Sequence, residues 1–197
     1  MMLDTDLMDV LGPVRDVHVA AILESMASEL SAGADVDAEP VDRDGDGRIR
    51  RRAPLSLPSR CDLRVSRDGR MMTLRALSSR WLCFEPIALP LSERAAARVA
   101  PFRWGAATVE ARHALAKPDW TPVRLWYLEW FQARFGEESP DLLGVVHALE
   151  GPETAPDGWR FTVDLGSASV AGFVAMLHAF GSTGCSDIRV GEAAIAL

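Results

Sequence analysis

Four histidines, His18, His113, His147 and His178, are the side chains best suited to proton transfer or metal ligation near neutral pH. No pair has the i, i+4 spacing that puts two imidazoles on one helix face, and there is no H-E-x-x-H run. His113 and His147 each fall in an apolar, strand-like segment. If those strands were neighbours, the two rings, with Glu110 or Asp119, would form an acid–base or metal site. Histidines in such settings are more often hydrogen-bonded core residues, so this enzyme is carried as the alternative expectation, and a protein with no catalytic apparatus as the first.

Asp42-Arg43-Asp44-Gly45-Asp46-Gly47-Arg48-Ile49 is the second candidate. Asp42, Asp44 and Asp46 alternate, a glycine supplies the sharp turn and an aliphatic residue follows, which resembles the calcium loop of an EF-hand. The resemblance ends there. Ala53 stands where a bidentate glutamate is needed, Arg50, Arg51 and Arg52 precede it, and Pro40 and Pro54 disfavour flanking helices. Calcium at this loop is a third expectation, behind a chain with no cofactor.

The sequence holds no nucleophile elbow, no phosphate-loop lysine and no dinucleotide fingerprint. Gly181-Ser182-Thr183-Gly184-Cys185 closes a helix, whereas a phosphate loop opens one. Cys61, Cys83 and Cys185 are odd in number and far apart, with no C-x-x-C, which fits a reducing compartment. No run approaches the ~18 apolar residues of a membrane span, and the N-terminal residues are acidic where an export signal would be basic. A cytoplasmic location without a membrane partner is expected.

The net charge of −7 is unevenly spread: residues 1–46 carry 12 acidic and 2 basic side chains. Twenty of the 21 basic residues are arginine, with no basic stripe of the kind nucleic-acid binders show, so a nucleic-acid partner is not expected.

The expected partner is another protein. Residues 122–135 read as a helix opened by Thr121 and Pro122 and stopped by Gly136. Its aromatic residues cover roughly twice the ~100° arc of an ordinary amphipathic helix. Trp126, Tyr127, Trp130 and Phe131 are the types that dominate interface hot spots, and they are the expected partner-binding residues. The analogy is to a small bacterial adaptor, immunity protein or chaperone.

These residues must be positioned by an α+β fold. A first helix is expected at 14–31, in an acidic N-terminal arm spanning 1–31, and a linker without periodicity at 32–60. A single domain follows over 61–197. Within it, 61–66 and 71–76 alternate about Asp68-Gly69, which predicts a type I′ hairpin with Leu63 facing Leu74 and Val65 facing Met72. A third strand is expected near 81–85, a helix at 92–100 and a strand at 107–115. After the aromatic helix come strands at 142–149 and 159–165, a helix at 168–180 and a strand at 187–190. The domain thus reads as two ββαβ units, 61–115 and 142–191, forming mixed sheets about a central helix.

Overall fold

The computed structural model describes residues 2–76, 78–113, 117–132 and 141–192, with side chains from residue 7 onward. The elements in order are α1 (Met2–Ser31), β1 (Asp35–Ala38), β2 (Arg51–Arg52), β3 (Leu57–Pro58), β4 (Leu63–Arg67), β5 (Arg70–Leu74), β6 (Ile87–Pro90) and β7 (Ala96–Val99). A 3-10 turn (Trp104–Ala106) leads into β8 (Ala107–Arg112), followed by α2 (Thr121–Trp130), β9 (Ala148–Ala155), β10 (Gly158–Asp164), α3 (Val170–Ser182) and β11 (Asp187–Gly191). The class is α+β, with an N-terminal helix and mixed sheets. Among the described residues no helix is long and apolar enough to cross a membrane.

Two sheets carry the fold. The larger has the order β6-β7-β11-β8-β10-β9 and the smaller the order β1-β4-β5. The hairpin forms in the expected register, Leu63 opposite Leu74 and Val65 opposite Met72. Both turn residues have positive φ, 51° at Asp68 and 72° at Gly69, as a type I′ turn requires. Its dry face holds only on β4: Leu63 and Val65 are buried, but Met72 is exposed on an edge strand.

The second ββαβ unit is present as β9-β10-α3-β11, although its first strand runs over Ala148–Ala155 and not over the expected 142–149, and the first unit is not present. Residues 96–99 are a strand, β7, instead of a helix. Ala97 and Val99 are buried while Ala96 and Arg98 are exposed, so a period of two governs the segment. The 81–85 segment forms no strand; β6 begins at Ile87. β8 lies between β10 and β11, and the parallel neighbour of β11 is β7. The expected strand end at Ala114 and Leu115, and the helix end at Arg134, Phe135 and Gly136, lie outside the described residues.

α1 is not a free arm, and its first turns lie earlier than expected. It runs through Gly12-Pro13, although proline inside a helix costs about 3 kcal/mol. Burial of Leu7, Leu11 and Val14 in the main core offsets that cost. One turn later Val19, Ala21 and Ile22 enter a second core, beneath the small sheet. Residues 32–60 are likewise no structureless linker, for they supply β1, β2 and β3. α1 therefore bridges two apolar cores, with Arg15 and His18 at the seam.

Candidate metal centre

Strand pairing explains how the seam acquires its polar residues. β1 and β4 pair Ala38 with Leu63, which sets the next residues, Glu39 and Asp62, side by side; the Glu39 amide donates to the Asp62 carbonyl at 2.8 Å. β9 and β10 pair Ala148 with Asp164, and the preceding His147 donates its amide to the Asp164 carbonyl at 2.9 Å. These two strand ends face each other. The Arg60 amide donates to the His147 carbonyl, joining them.

His147 lies at the centre, wholly buried. Its Nε2 is 2.8 Å from Glu39 Oε1, and its Nδ1 is 2.9 Å from Asp62 Oδ1. The second contact is close but poorly aligned, so Nδ1 and Oδ1 face each other without a well-formed hydrogen bond. The contact is an ion pair. Burial alone would hold the imidazole down, but Asp62 and Glu39 on either side push it up to about 10. His147 is a cation between two anions.

The carboxylates show the converse. Burial would raise Glu39, yet the hydrogen bonds from His147 and from the Ser167 and Leu143 amides hold it below the usual range. Glu39 takes positive φ, 52°, a strained conformation for a side chain of its size; those contacts fix it there. Asp62 is also depressed, because His147 and the Ala76 amide, 2.6 Å from Oδ2, outweigh its burial.

His18 reaches the same place from α1 and is 9% exposed. Burial lowers its pKa, and Asp164 and Asp62 only partly oppose that. The ring is thus neutral and carries a lone pair. Its Nε2 is buried without a hydrogen-bond partner. One ligand atom each from His18, Asp62 and Asp164 lies within 4.8 Å of the others, and all three residues are buried. One imidazole nitrogen and two carboxylate oxygens suit a divalent transition ion such as Mn2+ or Zn2+.

The carboxylates open onto a cleft of about 360 Å³, with Arg52, Arg60 and Arg75 on its wall. Arg75 also closes a smaller apolar cavity, which His18 lines. Arg75 Nη2 is 3.3 Å from Asp164 Oδ2. β5 ends at Leu74, so Asp62 and Arg75 do not pair across the hairpin: Asp62 turns inward and Arg75 reaches Asp164.

His147 is the one histidine of the expected pair that joins the cluster. His113 bonds the Thr183 carbonyl at 2.8 Å and packs edge-on against Trp120. Glu110 pairs with Arg160 on the surface, and Asp119 accepts from the Thr121 amide at the start of α2. His18 has no partner legible in the sequence, and Glu39, Asp62 and Asp164 belong to no recognisable motif. A carboxylate on the polar face of a strand normally faces water; here a second layer covers it.

The acidic loop closes on itself. Asp44 Oδ1 accepts the amides of Asp46 and Arg48 at 3.0 and 2.9 Å, and Asp46 pairs with Arg48. Among the described residues Asp42, Asp44 and Asp46 do not converge on one point as the His18 cluster does. The aromatic helix is chiefly core. Trp126 donates Nε1 to the Gly172 carbonyl, and Tyr127 donates its hydroxyl to Pro58, with the His147 carbonyl 3.1 Å away; both are buried. Trp130 and Phe131 are half-buried, with Trp130 against Gly172 of α3 and Phe131 beneath the Arg60 guanidinium. The wide apolar arc is thus a consequence of being sandwiched between α3 and the β3 segment. Trp126 and Tyr127 are corrected from partner-binding to core residues. Comparison with protein-family models, with curated proteins and with solved structures finds no match to this chain.

Proposed function

We propose that the protein binds one divalent transition-metal ion through His18, Asp62 and Asp164 and works as a metal-dependent enzyme, the ion presenting an activated water to the cleft. The observation that carries this is the convergence of three buried ligand atoms within 4.8 Å, one residue of the three having a ring nitrogen with no hydrogen-bond partner. Buried polar atoms are normally satisfied, and an orphan at a carboxylate cluster is explained by an ion. Three protein ligands leave coordination positions for water and substrate, as hydrolytic metal sites do.

The remaining residues have supporting roles. His147 and the amides around it fix the carboxylates of Glu39 and Asp62, as the outer partners of metal ligands do. Arg15 donates to the carbonyls of Ser167 and Ala168 at 3.2 and 3.0 Å, which ties α1, and with it His18, to the turn after β10.

The direct test is metal content and affinity. Protein stripped with a chelator and dialysed against Mn2+ or Zn2+ should retain one equivalent by mass spectrometry. His18→Ala, whose ring borders a cavity and can be removed without leaving a charge unpaired, should bind at least tenfold more weakly while keeping its circular dichroism. Retention of no metal by the wild-type chain would overturn the assignment.

A further inference from the structure

Charge is divided across the cleft. Its floor holds Asp62 and Asp164, with Glu39 and the His147 ring buried behind them, so three carboxylates surround one imidazole and negative charge is in excess. Its wall holds Arg52, Arg60 and Arg75 against the single carboxylate Glu150, which pairs with Arg52. Arg60 hydrogen-bonds to the main-chain carbonyls of Phe131 and Glu39 and makes no direct salt bridge among the described residues, with Glu39 and Asp37 acting on it only through space. Arg75 shares Asp164 with the proposed metal site and is largely exposed.

A dication on the floor would cancel the floor's excess and leave the wall positive. The complement of a metal ion flanked by guanidinium groups is a doubly charged anion with several oxygens, some for the ion and some for the forked N–H donors. At about 360 Å³ the cleft is at the small end of the range for small-molecule sites. We infer that the centre, if it holds the metal proposed above, takes a small phosphorylated molecule, its phosphate bridging the ion and the arginines of the wall. Arg75 then has two states: without metal it pairs with Asp164, and with metal and phosphate it is free to turn to the anion.

Calorimetric titration of the full chain with inorganic phosphate, before and after loading with Mn2+, tests this. Mn2+-loaded protein should bind phosphate at least tenfold more tightly than metal-free protein. Arg75→Met should keep or tighten Mn2+ binding, because a competing cation has gone, and weaken phosphate at least tenfold. Arg52→Gln, at a half-exposed surface pair, gives the same phosphate readout without touching Asp164. Mn2+ uptake with no phosphate binding, or with affinity unchanged in both variants, would overturn this inference alone. No Mn2+ uptake would overturn the metal centre and this inference with it.

Discussion

Glu39 Oε1 lies 2.8 Å from His147 Nε2, with both side chains completely closed to solvent and the two residues 108 positions apart in the chain. The pair therefore ties the small sheet to the large one. Removing one partner of a buried, hydrogen-bonded pair costs about 3–5 kcal/mol, mostly because the other is left charged and alone. Glu39→Ala should lower the free energy of unfolding by that amount, read from urea titration. A loss within about 0.5 kcal/mol would show that the two sheets are held together by their apolar contacts only.

The same cluster sets a pH profile for the metal-free protein. His147 faces Glu39 and Asp62 directly, with Asp164 at 3.9 Å, His18 approaching from α1 and Arg75 beyond Asp164. Its folded pKa of about 10 is above the unfolded value of about 6.5. Its stabilising contribution is complete below about pH 6.5, falls as pH rises and is gone above about 10. Glu39 and Asp62 are depressed, so theirs is complete above about pH 4 and is lost as pH falls through their folded values. His18, lowered by burial, stabilises the fold above its unfolded value of about 6.5 and loses that as pH falls, so thermal midpoints measured in chelator should peak near pH 6.5 and decline on both sides. A flat profile from pH 6.5 to 10 would sink the assignment of a buried imidazolium.

How far these features could be read from the sequence differs by element. The hairpin at Asp68-Gly69 was legible down to register, because turn chemistry and strict alternation are local. The 92–100 segment was not, since alanines and arginines satisfy a helix as well as a short strand, and only its pairing with β6 and β11 decides. His147 was legible as a residue capable of chemistry, but its partners are at positions 39, 62 and 164, brought together by two separate strand pairings. The aromatic breadth of α2 reflects burial. It pointed outward only because α3 and β3, which cover it, are distant in sequence.

Gly105 offers a route to the metal centre that leaves every ligand in place. A Cβ at this position would stand 2.6 Å from His18 Cε1. Its backbone is not in the left-handed region, so alanine is conformationally acceptable there. The ring must instead tilt, and the cavity it borders gives it room. Gly105→Ala should weaken Mn2+ binding tenfold or more with a thermal midpoint within a few degrees of wild type. Unchanged metal affinity would remove His18 from the ligand set.

Trp126 separates core from interface. It is 4% exposed and hydrogen-bonded to α3. Truncating a buried tryptophan to alanine costs about 3–5 kcal/mol. Trp126→Ala should therefore lose most of the stability of a chain this size, read by chemical denaturation. A fully stable variant that had merely lost a binding partner would restore the helix as a docking surface.

The cysteines report whether a thiol could take over the chemistry of the cleft. Cys61 lines it, next to Asp62, and burial pushes its thiol up to about 11. The thiolate is the reactive form, and at pH 8 a thiol held near 11 has roughly a two-hundredth of the thiolate of an ordinary one near 8.5. Cys185 is buried and also raised, with the Thr183 hydroxyl 3.0 Å from its sulfur. Cys83 is exposed. Iodoacetamide at pH 8, followed by peptide mapping, should label Cys83 first and Cys61 at least tenfold more slowly. Equal rates at Cys61 and Cys83 would mean that the cleft activates the thiol, and a nucleophilic cysteine would then displace the metal-bound water as the reactive group.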